Sequence, residues 1–297
     1  MSWIRNSTLN WFQGWIVAIL KTGQMPKHVA FIMDGNRRYA NKEKVEKVVG
    51  HSKGFDKLTE TLQWCIELGI PEVTVFAFSK ENFKRSKEEV DALMELARQK
   101  FQRLLDERDK LMEHGICIRV VGNLTLIPEN VRQLIAEAMT LTKDNTKSFL
   151  NVAFAYTSRD EITNAVKDAV EGVKNGNILP EDIDEHLISE CLYTYKSPSP
   201  DLLIRTSGEV RLSDFMMWQN SNTCIYFADV LWPEFSVWDL LSAVFYYQRC
   251  YSDLQNVSKS QISKPALQNA RKSSFVDKMH NDRLIILETM CLPSIQI

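Results

Sequence analysis

The sequence predicts an α/β fold: a single domain with a mostly parallel six-stranded sheet flanked by helices, and an N-terminal amphipathic helix ahead of it. Three observations carry that expectation. Six short apolar runs alternate with longer stretches of helical periodicity, the pattern of a sheet covered by helices on both faces. The first clear run, 29–33, is unbroken rather than alternating, as in a strand buried on both faces. The chain of 297 residues has no internal repeat and no low-complexity linker, which suits one substantial domain with appendages.

Taken in order, residues 1–24 are expected to form the amphipathic helix. Leu9, Phe12, Ile16 and Ile19 recur at helical spacing, Trp11, Trp15 and Leu20 lie beside them, and Trp3 and Ile4 add to the apolar load. The apolar stretch 15–20 is too short to span a bilayer and lacks a small-residue cleavage site, so it reads as neither a spanning helix nor a signal peptide. Three tryptophans in the first fifteen residues are costly to leave in water. The helix is therefore expected to meet a membrane interface or an apolar tunnel, with packing on the domain or a partner as the plainer alternative.

Residues 25–251 form the expected folded domain. Its strands fall at 29–33, 73–78, 116–121, 149–154, 202–204 and 224–227. Helices are expected near 50–68, 86–114, 128–143, 159–173, 181–191 and 236–250, with a shorter one starting after Leu212. Ser86 with Glu89, and Ser158 with Glu161, have the S-x-x-E form of a helix start. The charge run 106–110 inside the helix at 86–114 reads as a solvated face. Residues 252–297 begin rich in Asn, Ser, Gln and Lys. They are expected to be a weakly ordered tail whose last apolar run gives at most a short docking helix.

Composition narrows the function classes. A net charge of −2 gives no global reason to expect a nucleic-acid partner. The six cysteines are scattered without a CxxC and the five histidines form no HExxH, so neither a zinc site nor a disulfide scaffold is expected and a reducing compartment is favoured.

The chemistry-bearing residues cluster where strands end. The run at 29–33 stops at Asp34-Gly35-Asn36, followed by Arg37 and Arg38. In open α/β sheets ligands bind at that carboxyl edge. A carboxylate at Asp34 suits a hard cation such as Mg2+, Gly35 lets backbone approach closely, and the following helix start with two arginines suits a diphosphate. After the second strand come Ser79-Lys80-Glu81-Asn82-Phe83-Lys84-Arg85: an amide at Asn82, an apolar wall at Phe83 and a phosphate-pairing guanidinium at Arg85. After the fifth strand, Arg205, Arg211 and Ser213, the last placed as a helix N-cap, make a second diphosphate cradle.

These segments resemble the cis-prenyltransferases, the undecaprenyl and dehydrodolichyl diphosphate synthase family, and within it the eukaryotic catalytic subunits. The resemblance runs from about Met25 to Tyr247. It rests on MDGNRR, on FSKENFKR against the pattern FS-x-EN-(W/F)-x-R, on the Arg205–Ser213 block, and on Asp229-Val230-Leu231-Trp232-Pro233-Glu234-Phe235 against D-x-x-WP-(D/E)-F. It implies a Mg2+-dependent transferase with Asp34, Asn82, Arg205 and Arg211 as catalytic residues and Asp34 on the metal. Farnesyl diphosphate would be bound by Gly35, Asn36, Arg37, Arg38, His51 and Arg85, and isopentenyl diphosphate by Arg205, Arg211 and Ser213. The product would be a long polyprenyl diphosphate for dolichol and protein glycosylation. Phe55, Leu58, Leu62, Ile66, Leu93, Leu96, Phe101 and Leu104 are candidates for lining its channel.

Three departures matter. Lys47 stands where several members have arginine, Cys224 where bacterial members have glutamate, and the tail lacks the R-x-G motif of single-subunit members. The resemblance then implies a heteromer with a Nogo-B-receptor-like subunit that supplies R-x-G, peripheral on the cytoplasmic face of the endoplasmic reticulum membrane. Two alternatives stand beside it. One is a non-catalytic scaffold subunit of a prenyltransferase complex. The other is an Asp-nucleophile phosphatase, which would want a second carboxylate where Asn36 stands.

Overall fold

The computed structural model describes residues 9–260 and 269–291, with side chains through 256 in the first of these segments. Trp3, Ile4 and the last apolar residues beyond Cys291 lie outside the described residues. Six strands form one sheet: β1 (His28–Ile32), β2 (Glu72–Ser79), β3 (Ile116–Val121), β4 (Ser148–Tyr156), β5 (Leu202–Arg205) and β6 (Cys224–Phe227). Their order is β3-β4-β2-β1-β5-β6 and every pairing is parallel. Each apolar run of the sequence is a strand, with ends displaced by two residues at most. The unbroken character of β1 has its cause here. Val29 and Phe31 enter the larger core, and Ala30 and Ile32 enter a second core with Leu203, Tyr156 and Phe215 on the opposite face.

The helices are α1 (Trp11–Leu20), α2 (Asn36–Lys42), α3 (Lys47–Leu68), α4 (Lys87–Asp106), α5 (Arg108–His114), α6 (Glu129–Thr142), α7 (Ser158–Lys174), α8 (Glu185–Cys191), α9 (Val237–Ser260) and α10 (Ala270–Met290). Local chemistry sets several ends. Asn10 and Gln13 close a capping box on α1, Ser86 caps α4, and Gly69 ends α3 in the left-handed conformation. The apolar N-terminal helix packs on α9 through buried Val17 and a Phe12–Trp238 ring contact at 6.2 Å. Its Trp11 and Trp15 stay 84% and 58% exposed.

Five local expectations are corrected. The helix at 86–114 is two helices, broken at Glu107, whose φ of −98° and ψ of 20° leave the helical region inside the charge run. No helix starts after Leu212, because Ser213, Asp214 and Met216 adopt φ of 50°, 61° and 49°; Ser213 is therefore no helix cap. The cap of α7 is Thr157, one residue before the Ser158 of the S-x-x-E pattern. The helix expected near 50–68 starts earlier, at Lys47, with His51 inside its first turns, and a separate short helix, α2, precedes it.

The fifth concerns the tail. α9 continues to Ser260, and α10 is a 21-residue helix instead of a weakly ordered segment. Of the side chains of α10 only Phe275 is buried, against Gly172 of α7. Val276 and Met279 join Phe275 in a small apolar cluster with α7 and α8, and Leu284 and Leu287 face β3 across a cavity. Polar pins add to this: Asp182 accepts from Asn269 at 2.6 Å and from Arg271 at 2.7 Å, and Arg283 pairs with Asp168 at 2.7 Å.

Candidate active site

The site follows from strand order. β1 pairs with β2 on one side and β5 on the other; the chain fills the β2 side first and then crosses from β4 to β5, which opens a crevice at the strands' carboxyl ends. Ile32 is in register with Arg205, the last residue of β5, which brings Arg205 beside the turn that carries Asp34. Arg205 Nη2 donates to Asp34 Oδ2 at 2.8 Å. Its Nη1 donates to the Arg211 carbonyl at 2.5 Å and to Ser213 Oγ at 2.7 Å. The guanidinium is only 2% exposed as a residue, so these acceptors hold a buried cation in one orientation.

The Asp34 turn is fixed just as closely. Thr206 Oγ1 accepts from the Asp34 amide at 3.0 Å and donates to its carbonyl at 2.8 Å. The Gly35 amide donates to Asp34 Oδ1 at 2.7 Å. Gly35 has φ +106°, which strains any side chain there, and a Cβ would crowd Leu231, 3.0 Å from its side chain. Burial opposes ionisation of Asp34, but the Arg205 hydrogen bond and charge, the Gly35 amide and Arg38 outweigh it and lower its pKa. α2 then lies directly on α3, where a Cβ on Gly54 would fall 2.2 Å from Asn36 Oδ1. That Oδ1 and His51 Nε2 are buried with no hydrogen-bond partner among the described residues. The His51 pKa is pushed down to about 4, first by burial and then by Arg85, so its ring is neutral at pH 7.

Asp34, Gly35, Asn36, Arg37, Arg38, His51, Asn82, Arg85, Arg205, Arg211 and Ser213 all line one cleft of about 880 Å³. Every site residue expected from the sequence is thus brought together. An apolar cavity of about 130 Å³ adjoins it, sharing Met33, Asn36, His51, Ala77, Phe78 and Leu93. Of the channel candidates, Phe55, Leu58, Leu93, Leu96 and Phe101 line this cavity. Leu62 and Ile66 face a separate small cavity and Leu104 is sealed in the core. Phe83 also departs from expectation: it packs against Phe78 in the core, ring centroids 4.9 Å apart, and does not wall the cleft. Asn82 spends its carbonyl on the Ser79 amide at 3.0 Å, which leaves its NH2 for a ligand.

Sequence reading missed the counter-charges. Glu89, in the first turn of α4, gathers three cations from different elements: Arg85 at 2.9 Å, Lys47 at 3.2 Å and Arg37 at 3.7 Å. Its side chain is therefore turned away from any capping box with Ser86. Glu209 lies 3.4 Å from Arg38 and also pairs with Arg211. Arg159 lines the cleft and pairs with Asp214 at 2.8 Å. Only the i,i+4 spacing of Arg85 and Glu89 was a readable signal of this arrangement. The described residues hold no group of three metal-ligating side chains.

A rim of arginines about Asp34, opening into an apolar cavity, suits the diphosphate head and hydrocarbon tail of a prenyl diphosphate. Residues 32–253 match the family described as "Putative undecaprenyl diphosphate synthase", and the chain belongs to that family. Among its relatives, the human dehydrodolichyl diphosphate synthase complex subunit DHDDS is 58% identical over 86% of this chain and 77% of its own. The tritrans,polycis-undecaprenyl-diphosphate synthase (geranylgeranyl-diphosphate specific) of Pyrococcus furiosus is 45% identical over 80% of this chain and 90% of its own. Among solved structures, lavandulyl diphosphate synthase from Lavandula x intermedia, in complex with dimethylallyl diphosphate, superposes with a TM-score of 0.72 at 35% identity. That match covers 75% of this chain and 95% of that one.

Proposed function

We propose that this chain is the catalytic subunit of a cis-prenyltransferase that adds isopentenyl diphosphate units to farnesyl diphosphate, giving the long-chain dehydrodolichyl diphosphate used for dolichol. The observation that carries it is the Asp34–Arg205 contact at 2.8 Å, which joins the two arginine groups at one rim. The intact pair of cradles weighs against a purely scaffolding subunit, and the neutral amide of Asn36 weighs against an aspartyl phosphatase. The names of the human and Schizosaccharomyces pombe relatives as complex subunits support a heteromer.

Arg37, Arg38 and Arg85, with the Gly35 turn, hold the allylic diphosphate so that its C1 faces the apolar mouth. Arg205, Arg211 and Ser213 hold isopentenyl diphosphate on the opposite wall with its double bond toward that carbon. Positioning and charge stabilisation carry the reaction; none of the residues in the cleft is needed as a covalent nucleophile. The Asn82 amide donates to the departing diphosphate, and neutral His51 stands beside it. Mg2+ fits Asp34 because it is commonly held by one or two carboxylates plus substrate phosphates, and when bound it neutralises charge on the leaving diphosphate. Asp34 is the residue that would hold it, kept anionic by Arg205.

The growing hydrocarbon enters the cavity lined by Phe55, Leu58, Leu96 and Phe101. Burial stabilises it by roughly 0.8 kcal/mol per methylene, so a long product leaves slowly into water and release at a membrane is favoured. The exposed Trp11 and Trp15 of α1 suit peripheral contact with the endoplasmic reticulum membrane on its cytoplasmic face. Among the described residues no helix is long and apolar enough to cross a membrane. A Nogo-B-receptor-like subunit would complete the site with its R-x-G motif. The test is incorporation of radiolabelled isopentenyl diphosphate into farnesyl diphosphate with Mg2+, with and without that subunit, reading product length. Long products only with the partner present are expected. Full activity of the chain alone would remove the heteromer, and none under either condition would remove the reaction.

A further inference from the structure

We propose that the cavity between the end strand β3 and helix α10 is a second ligand site, built for a linear amphiphile with one anionic head group. It encloses about 230 Å³ and shares no lining residue with the cleft or with the apolar cavity beneath His51. β3 is the outermost strand, three positions from β1, so the cavity lies across the sheet from the reaction. Its walls are apolar: Val121 and Leu124 from the β3 side, Met139 from α6, and Leu284, Leu287 and Met290 from α10. Ile286, 54% exposed, stands at its mouth.

The lining also carries cations. Arg119, Lys143, Lys196 and Arg283 line the cavity against a single carboxylate, Glu288. Three of the four cations already have carboxylate mates: Arg119 has Glu72 at 3.5 Å, Arg283 has Asp168 at 2.7 Å and Lys143 has Glu288 at 3.3 Å. Lys196 has no ion-pair partner among the described residues. Arg119 fixes the segment that carries it, donating to the Lys196 carbonyl at 3.0 Å and to Ser197 Oγ at 3.2 Å. The Lys196 ammonium sits 5.6 Å from the Tyr195 ring, and burial and then Arg119 lower its pKa, an environment that an anion would relieve. Lys196 is exposed as a residue, so it stands at the solvent side of the apolar slot, and one such cation without a carboxylate mate matches one negative head on one hydrocarbon chain, a fatty carboxylate or an alkyl monophosphate.

The experiment is photolabelling of the full chain with a diazirine-bearing dodecanoate, mapped by peptide mass spectrometry, with and without excess farnesyl diphosphate to occupy the catalytic cleft. The expected result is adducts on β3 and on residues 284–290 that farnesyl diphosphate does not remove. Lys196→Glu should weaken this labelling at least tenfold while circular dichroism melting stays that of the parent, and Leu287→Trp should abolish it by filling the slot. Displacement by unlabelled dodecanoate or by dodecyl phosphate supports the site, and the stronger competitor names the head group. Adducts confined to α3 and α4 and removed by farnesyl diphosphate would overturn the proposal. So would displacement by neither competitor, or equal labelling by an uncharged dodecanol probe.

Discussion

Asp34→Asn isolates the charge that joins the two halves of the cleft. Asparagine keeps an oxygen that accepts one hydrogen bond but loses the anion facing Arg205. The guanidinium stays buried and still donates to the Arg211 carbonyl and Ser213 Oγ. A hydrogen bond to a charged group contributes about 1.5–3 kcal/mol and a neutral one about 0.5–1.5 kcal/mol, so stability should fall by about 1–2 kcal/mol. In a domain of this size that is a drop of roughly 2–8 °C in melting temperature, well short of unfolding. Turnover should fall much further. Loss of one preorganised charge-stabilising group costs about 2.7–4 kcal/mol in the barrier, a factor of about 10²–10³. Scanning calorimetry gives the first quantity, and radiolabelled isopentenyl incorporation over a Mg2+ titration gives the second. Turnover within about fivefold of the parent at every Mg2+ concentration would remove Asp34 from the metal role.

Three other outcomes are expected. Arg211→Ala should chiefly raise the KM for isopentenyl diphosphate, since the exposed guanidinium, now paired with Glu209, can turn to a ligand while its backbone carbonyl still anchors Arg205; a change in allylic affinity alone would reverse the two pockets. His51 is protonated near 6.5 when unfolded but only near 4 when folded, so the unfolded state binds more protons between those values. Stability should therefore decline on acidification from about pH 6.5 to 4, by at most about 3 kcal/mol. The NMR titration of His51 should also move upward when a diphosphate fills the cleft, and a fixed pKa would place the ring away from the substrate. Deleting residues 1–22 should weaken sedimentation with anionic vesicles, whereas unchanged association would make α1 a packing element.

The sheet was legible because burial on both faces writes itself as unbroken apolar runs, and the carboxyl-edge rule then placed Asp34, Arg85 and Arg205 on one side. The pieces that escaped depend on backbone conformation or on pairing at long range. Ser213 looked like a helix cap, yet the loop from 207 to 216 bends through several left-handed residues to bring the Arg211 carbonyl and Ser213 Oγ onto Arg205. Such conformations cost about 1–3 kcal/mol each and persist where surrounding structure enforces them, here by Phe215 buried beneath the loop. α10 was legible only as a possible short docking helix, because the chain ahead of it is polar and its ion pairs reach residues distant in sequence.

The counter-charges were missed for a more general reason. A sequence shows Arg37, Lys47 and Arg85 as three separate cations, and only the fold reveals that Glu89 stands among them, as Glu209 stands between Arg38 and Arg211. Left unpaired, that many positive groups around one cleft would repel one another and splay into solvent. With two glutamates placed between them, the guanidiniums stay aimed at the cavity before any diphosphate arrives. If the cleft binds a diphosphate as proposed, the glutamates also set the terms of binding, because the ligand must draw each arginine from a carboxylate already in place. A ligand with a single negative charge competes poorly for that exchange, whereas one carrying two or three charges on adjacent phosphates engages several arginines together. On this account the cleft selects diphosphates as much through its acidic residues as through its basic ones.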